Sequence, residues 1–87
     1  MPPINLIIED YMKKLLNEFT IGESGKITAV HGCGRIRRRL FDMGMTPGAE
    51  LTMRKKAPFG DPIEITIRGY ELTLRKSEAG CVEVELI

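Results

Sequence analysis

Apolar positions follow two periods along the chain, and the change falls between Gly22 and Gly25. Before it, Ile4, Ile7, Ile8, Tyr11, Met12, Leu15, Leu16 and Phe19 recur at the spacing of one helix face. Asn5, Glu9, Asp10, Lys13, Lys14, Asn17 and Glu18 fill the opposite face, and only Leu6 breaks the pattern. The spacing predicts an amphipathic helix that Asn5 can cap and Gly22 must end. Its stripe is expected to pack on the same domain. The second reading is a groove-binding or dimerising helix, and so a homo-oligomer.

After Gly25 the period shortens. Lys26 to His31 carries Ile27, Thr28 and Val30 and reads as a strand. Arg35 to Met43 reads as a short helix with Ile36, Leu40 and Met43 on one side. Gly44 suits the left-handed position that ends such a helix, with Met45 packing back on Leu40. Pro47-Gly48 fits the centre of a type II turn. Leu51 and Met53 alternate with polar neighbours, and 57–62 is a loop by its Pro and Gly content. Ile63, Ile65 and Ile67 then alternate with Glu64, Thr66 and Arg68. Gly69-Tyr70 fits a II′ hairpin turn into the Leu72–Leu74 strand. Ser77 can cap one short turn that Gly80 releases, and Val82, Val84 and Leu86 form a last strand. Four or five short strands with close turns predict a mainly β chain, a small antiparallel barrel whose closure removes sheet edges.

Length narrows this to one small domain, since the chain has 87 residues. Thirteen basic and twelve acidic side chains leave a net charge of +1, which argues against a generally cationic nucleic-acid or membrane binder. No apolar run reaches the roughly 20 residues of a membrane span. The start, Met1-Pro2-Pro3-Ile4, lacks the positive stretch of a signal peptide, so a cytoplasmic protein is expected. Two cysteines are too few for a disulfide scaffold.

The charge is uneven along the chain. Residues 35–57 carry Arg35, Arg37, Arg38, Arg39, Arg54, Lys55 and Lys56 against only Asp42 and Glu50. A basic side built by the short helix and the following strand is expected, with Arg38 and Asp42 able to pair along the helix. Arg37, Arg38, Arg54, Lys55 and Lys56 are the candidate partner-docking residues, and an acidic protein surface suits them.

Other chemistry is sparse. Gly22-Glu23-Ser24-Gly25-Lys26 glances at a phosphate loop but has Thr20 and Ile27 where that motif needs Gly and Ser or Thr. Gly32-x-Gly34 is followed by Arg37 where a dinucleotide fingerprint needs Gly. His31, Cys33 and the distant Cys81 are the only soft donors, a candidate site for a transition metal such as iron or zinc. Nothing supplies a nucleophile with its base, so an enzyme is not expected.

Three stretches then stand out together. They are Arg38-Arg39-Leu40-Phe41-Asp42-Met43-Gly44-Met45-Thr46-Pro47-Gly48, Ala57-Pro58-Phe59-Gly60-Asp61-Pro62-Ile63 and Arg68-Gly69-Tyr70-Glu71-Leu72-Thr73-Leu74-Arg75-Lys76-Ser77-Glu78-Ala79. In this order they strongly resemble the FeoA family, over about residues 15–86. The chain thus divides into an N-terminal amphipathic helical extension, 1–14, and a FeoA-like domain, 15–87. The resemblance implies an SH3-like β-barrel. It also implies a small cytosolic accessory of ferrous-iron uptake that binds and modulates the cytosolic domain of a FeoB-type, GTPase-bearing membrane transporter. A similar barrel ends the DtxR-type metal-dependent repressors, which makes a transition-metal sensor or carrier the alternative. Gly44, Pro47, Gly48, Pro58, Gly60, Asp61, Pro62 and Gly69 are the motif's shape-setting residues. The motif brings no metal ligand with it.

Overall fold

The computed structural model describes residues 13–32 and 34–87. Six strands form one antiparallel sheet among them: β1 (Lys13–Leu15), β2 (Ser24–Val30), β3 (Glu50–Lys56), β4 (Ile63–Ile67), β5 (Tyr70–Leu74) and β6 (Val82–Leu86). Helix α1 (Gly34–Asp42) links β2 to β3, and the one-turn α2 (Lys76–Ala79) links β5 to β6. The strand order is β1-β6-β2-β3-β4-β5.

Alternation places the core. Ile63, Ile65 and Ile67 of β4 are buried, as are Leu51 and Met53, Ile27 and Val30, and Val82 and Val84. Each such side chain contributes about 2 kcal/mol of burial. Two register shifts curl the sheet around them. Thr28 is the extra residue between Ile27↔Val84 and Ala29↔Glu83, and Arg54 is the extra one between Met53↔Ile65 and Lys55↔Glu64. Such bulges sharpen the local bend and twist. Leu40, Met45 and Ala79, from the two helical connections, join the same core cluster.

Two expectations about this architecture are corrected. The sheet does not close, because among the described residues β1 pairs only with β6 and β5 only with β4. The helical reading of the N-terminal stripe also fails where it can be followed; its residues 1–12 lie outside the described residues. Lys13, Lys14 and Leu15 pair with Glu85, Val84 and Glu83 instead, and Leu16–Glu18 forms a single 3-10 turn. Cross-strand bonding to β6 overrides helical periodicity here. The stripe still marks burial, since Leu16 and Phe19 are in the core.

The turns follow their sequence cues with one shift. Gly44, at φ 90, ends α1, with Met45 N–H donating to Leu40 C=O at 2.9 Å and Gly44 N–H to Phe41 C=O at 3.0 Å. These two bonds are the paired C-cap of a Schellman motif. Pro47-Gly48 turns as expected, closed by Ala49 N–H on Thr46 C=O at 3.0 Å. The β4–β5 hairpin turns one residue earlier than expected. Ile67 pairs with Tyr70, and Arg68 and Gly69 hold φ of 51 and 85 between them. Two positive values make this a type I′ turn rather than II′. Helix α2 is capped by Glu78, whose Oε1 accepts the Arg75 N–H at 2.9 Å, and not by Ser77.

Glu23 ties β1 to the turn before β2. Its Oε1 accepts from Thr20 N–H at 2.7 Å and from Lys14 Nζ at 2.9 Å. The Thr20 N–H, followed by Lys14, lowers its pKa from 4.5 to about 2. A carboxylate with a depressed folded-state pKa stabilises the fold above its unfolded pKa, and that contribution is lost as pH falls from 4.5 towards about 2. Glu23→Gln is therefore expected to flatten the loss of stability over this window. Urea midpoints at about pH 6 and about pH 3 measure it, and equal slopes for both proteins would contradict the assignment.

Candidate docking surface

Helix α1 carries its arginines outward because Leu40 is buried and Ile36 and Phe41 pack at the core margin. Arg35, Arg37, Arg38 and Arg39 are all exposed. The Arg37 guanidinium lies 5.2 Å from the Phe41 ring centroid, a cation–π contact that holds the side chain against the helix. Among the described residues Arg35, Arg37 and Arg38 form no ion pair, and the Arg38–Asp42 pairing expected along the helix is not made.

The rest of the predicted basic side is engaged. Arg54 pairs with Glu71 at 3.2 Å, reaching over β4 to β5, and Lys55 pairs with Glu64 of the neighbouring β4 at 4.0 Å. Lys56 Nζ donates to the Asn17 carbonyl at 3.4 Å. Exposed pairs contribute about 0–1 kcal/mol each, so they are readily exchanged, but their net charge is already offset.

Helix α1 is fixed at two points by residues the sequence did not single out. Arg39 NH1 meets Glu78 Oε2 at 3.4 Å, and the Glu78 side chain is only 7% exposed. That carboxylate thus joins α1 to α2, its other oxygen serving the α2 cap. At the far end the β4–β5 turn grips the helix C-terminus. The Arg68 guanidinium donates to Gly44 C=O at 3.4 Å and to Thr46 Oγ1 at 3.0 Å, and the Tyr70 hydroxyl donates to Met43 C=O. A cation and a hydroxyl at the carbonyls just past a helix C-terminus are favoured by both hydrogen bonding and the helix dipole. The left-handed Arg68 is what starts the turn that places this pair of side chains.

The soft donors are partly brought together. His31 N–H donates to Cys81 C=O at 2.6 Å, so both lie where β2 leaves β6. A Cβ built on Gly32 would sit 2.9 Å from Cys81 Sγ, and Cys33 lies outside the described residues. Among the described residues no group of three or more His, Cys, Asp or Glu side chains is arranged to hold a metal ion.

The 57–62 loop is the third feature. Pro58 and Phe59 form a turn closed by Gly60 N–H on Ala57 C=O at 2.8 Å, and Ala57 N–H returns to Pro62 C=O at 3.0 Å. Asp61 Oδ1 accepts the Lys76 N–H at 3.1 Å and so ties the loop to α2.

The three recognised stretches therefore meet in space. The first ends α1, the third clasps that end through Arg68 and Tyr70, and the second anchors α2 through Asp61. The FeoA domain pattern matches residues 14–86. The chain belongs to the FeoA family. This family is associated with ferrous-iron transport. A fused Fe(2+) transport protein A and Fe(2+) transporter FeoB of Porphyromonas gingivalis is 38% identical over 72 residues, covering 83% of this chain. The chain spans only 8% of the length of that relative. A FeoA-like protein of Clostridium acetobutylicum superposes with a TM-score of 0.80 at 41% identity, covering 87% of this chain and 88% of that one. The zinc complex of FeoA from Stenotrophomonas maltophilia, described as a prokaryotic SH3-domain protein, gives a TM-score of 0.73 at 30% identity. That match covers 83% of this chain and 89% of the other. The SH3-like fold expected from the motifs is thus the fold observed. No helix among the described residues is long and apolar enough to cross a membrane.

Proposed function

We propose that this FeoA-family domain is an accessory module that docks on the cytosolic part of a FeoB-type ferrous-iron transporter and modulates it. The observation that carries this reading is the fusion in Porphyromonas gingivalis, where a homologous segment shares one chain with such a transporter. Covalent joining raises the effective concentration of a weakly docking module, a benefit only where the two parts touch. The docking surface in this reading is α1, through Arg37 and Arg38 with Arg35 beside them. Arg54 and Lys55 form the rim, since Glu71 and Glu64 hold part of their charge, and Lys56, bonded to the Asn17 carbonyl, stands beside them.

The double reversal Arg37→Glu with Arg38→Glu is expected to weaken binding to the transporter's cytosolic domain at least about tenfold at low salt, and less at high salt. Calorimetric titration at two ionic strengths checks this. Unchanged affinity would remove α1 from the docking surface. Both side chains are exposed, so the variant's thermal midpoint is expected to stay close to that of the unchanged protein.

A further inference from the structure

Phe59 is 99% exposed, the most exposed large apolar side chain among the described residues. Its backbone sits at φ 68, ψ 10, in the left-handed region that a bulky side chain seldom adopts. Neither fact is explained by the fold. The side chain packs on nothing that would compensate the strained backbone, and glycine would serve this turn better. The turn itself is tightly defined, by Pro58, by the Gly60-to-Ala57 and Ala57-to-Pro62 bonds, and by Asp61 on Lys76. The loop backbone thus fixes the point from which an aromatic side chain projects into solvent. Strain retained without a structural return is a mark of an interaction residue.

The surroundings describe the kind of partner. Beside the loop lies an open cleft of about 280 Å³ lined by Lys55, Lys56, Ala57, Pro62, Ile63, Glu64 and Thr73. A projecting ring next to a largely apolar cleft can both insert and receive a side chain, the arrangement of an interface centre. Around it stand Lys55, Lys56 and Lys76 against Asp61 and Glu64. This cationic excess disfavours a second copy of the chain, whose tip would carry the same excess. It favours a partner with acidic side chains around an apolar pocket.

We propose that Phe59 is the anchor of a second docking contact, inserting into an apolar, acid-rimmed pocket on the cytosolic domain of the transporter. This rests on the reading of the chain as a transporter accessory. It adds a contact centred on an aromatic side chain to the one centred on the α1 arginines.

The test titrates the full chain, Phe59→Ala and Phe59→Gly against the cytosolic domain of the transporter of the same organism. Thermal melting of each protein alone is recorded alongside. Both variants are expected to bind at least about tenfold more weakly, the loss typical of a buried aromatic anchor. Phe59→Gly is also expected to melt a few degrees higher, about 2–5 °C, because it releases the left-handed strain. Weaker binding joined to equal or greater stability is a combination that a merely structural Phe59 does not produce. Full affinity in both variants, with the unchanged chain binding, would overturn the anchor and leave the accessory reading intact. No binding by the unchanged chain would overturn the accessory reading, and the anchor with it. A concentration-dependent dimer of the unchanged chain that Phe59→Ala abolishes would also overturn the proposal, because the occupant would then be a second copy.

Discussion

Replacing Gly25 by alanine is expected to destabilise the domain by about 3 kcal/mol, at the upper end of what overpacking costs. Gly25 is buried in β2, which is paired on both sides, with Leu51 of β3 and Leu86 of β6. A Cβ there would press on Val84 Cγ1, lie 2.8 Å from the Glu85 carbonyl oxygen and touch Phe19 Cζ at 3.0 Å. The missing side chain makes room for the Phe19 ring beside Val84. Val84 can change rotamer, but the Glu85 carbonyl belongs to the strand backbone and cannot yield without breaking register. For a chain of this size total stability is about 4–13 kcal/mol, so this one methyl group consumes a large share. Urea denaturation checks it, with Gly34→Ala as the comparison. A Cβ on Gly34 meets nothing within 4 Å, and that variant is expected to change stability by less than about 1 kcal/mol. Equal midpoints for the two variants would mean that β2 can shift away from β6, against the packing described.

The same position illustrates what the sequence made legible. By sequence Gly25 marks only the break before a strand, because a single glycine in a polar stretch carries no trace of what lies across the sheet. Its role depends on Val84, Glu85 and Phe19, which are distant in sequence and joined only by the β2–β6 pairing. Local rules fared better. The period-two runs of β4, β5 and β6 gave their inward faces, and the cues at Gly44 and Pro47-Gly48 gave two turns with the observed bonds. The N-terminal stripe misled for a physical reason. Leu16 and Phe19 are buried at a spacing that one 3-10 turn satisfies as well as a helix does, and periodicity cannot separate the two over so few residues.

The basic face was legible only as a count of charges. Seven cations over 35–57 read as one basic side, yet the carboxylates that engage Arg39, Arg54 and Lys55 come from Glu78, Glu71 and Glu64, on later elements. The excess survives mainly on α1, where Arg35, Arg37 and Arg38 face outward. The sequence marks Phe59 only as an aromatic near the basic stretch, because the prolines and glycines of its loop set the path and say nothing of where the ring goes. Its exposure and left-handed backbone exist only in three dimensions.

The β4–β5 turn over α1 leads to the second large effect. Gly44→Ala is expected to cost about 3 kcal/mol through two separable causes. An alanine at φ 90 carries a left-handed penalty of about 1–2 kcal/mol. Its Cβ would also stand 2.8 Å from the Tyr70 hydroxyl oxygen, displacing the hydroxyl that donates to Met43 C=O. That lost bond accounts for about 1 kcal/mol more. Tyr70→Phe alone is expected to cost about 1 kcal/mol, since it removes the bond and leaves Gly44 undisturbed. Together the two changes are expected to cost about 1 kcal/mol less than their sum, because phenylalanine has no hydroxyl for the new methyl group to strike. Equilibrium unfolding of the four proteins in the cycle measures this coupling. Strict additivity would mean that the hydroxyl is not what the glycine accommodates, and that Gly44 is required by its backbone angle alone. Coupling of the expected sign ties the two motifs into one device: the first leaves a helix end bare of side chain, and the third uses that space to hold it. In that case Gly44→Ala is also expected to weaken docking through Arg37 and Arg38, although it alters no charge, since the helix that presents them loses the clasp at its C-terminal end.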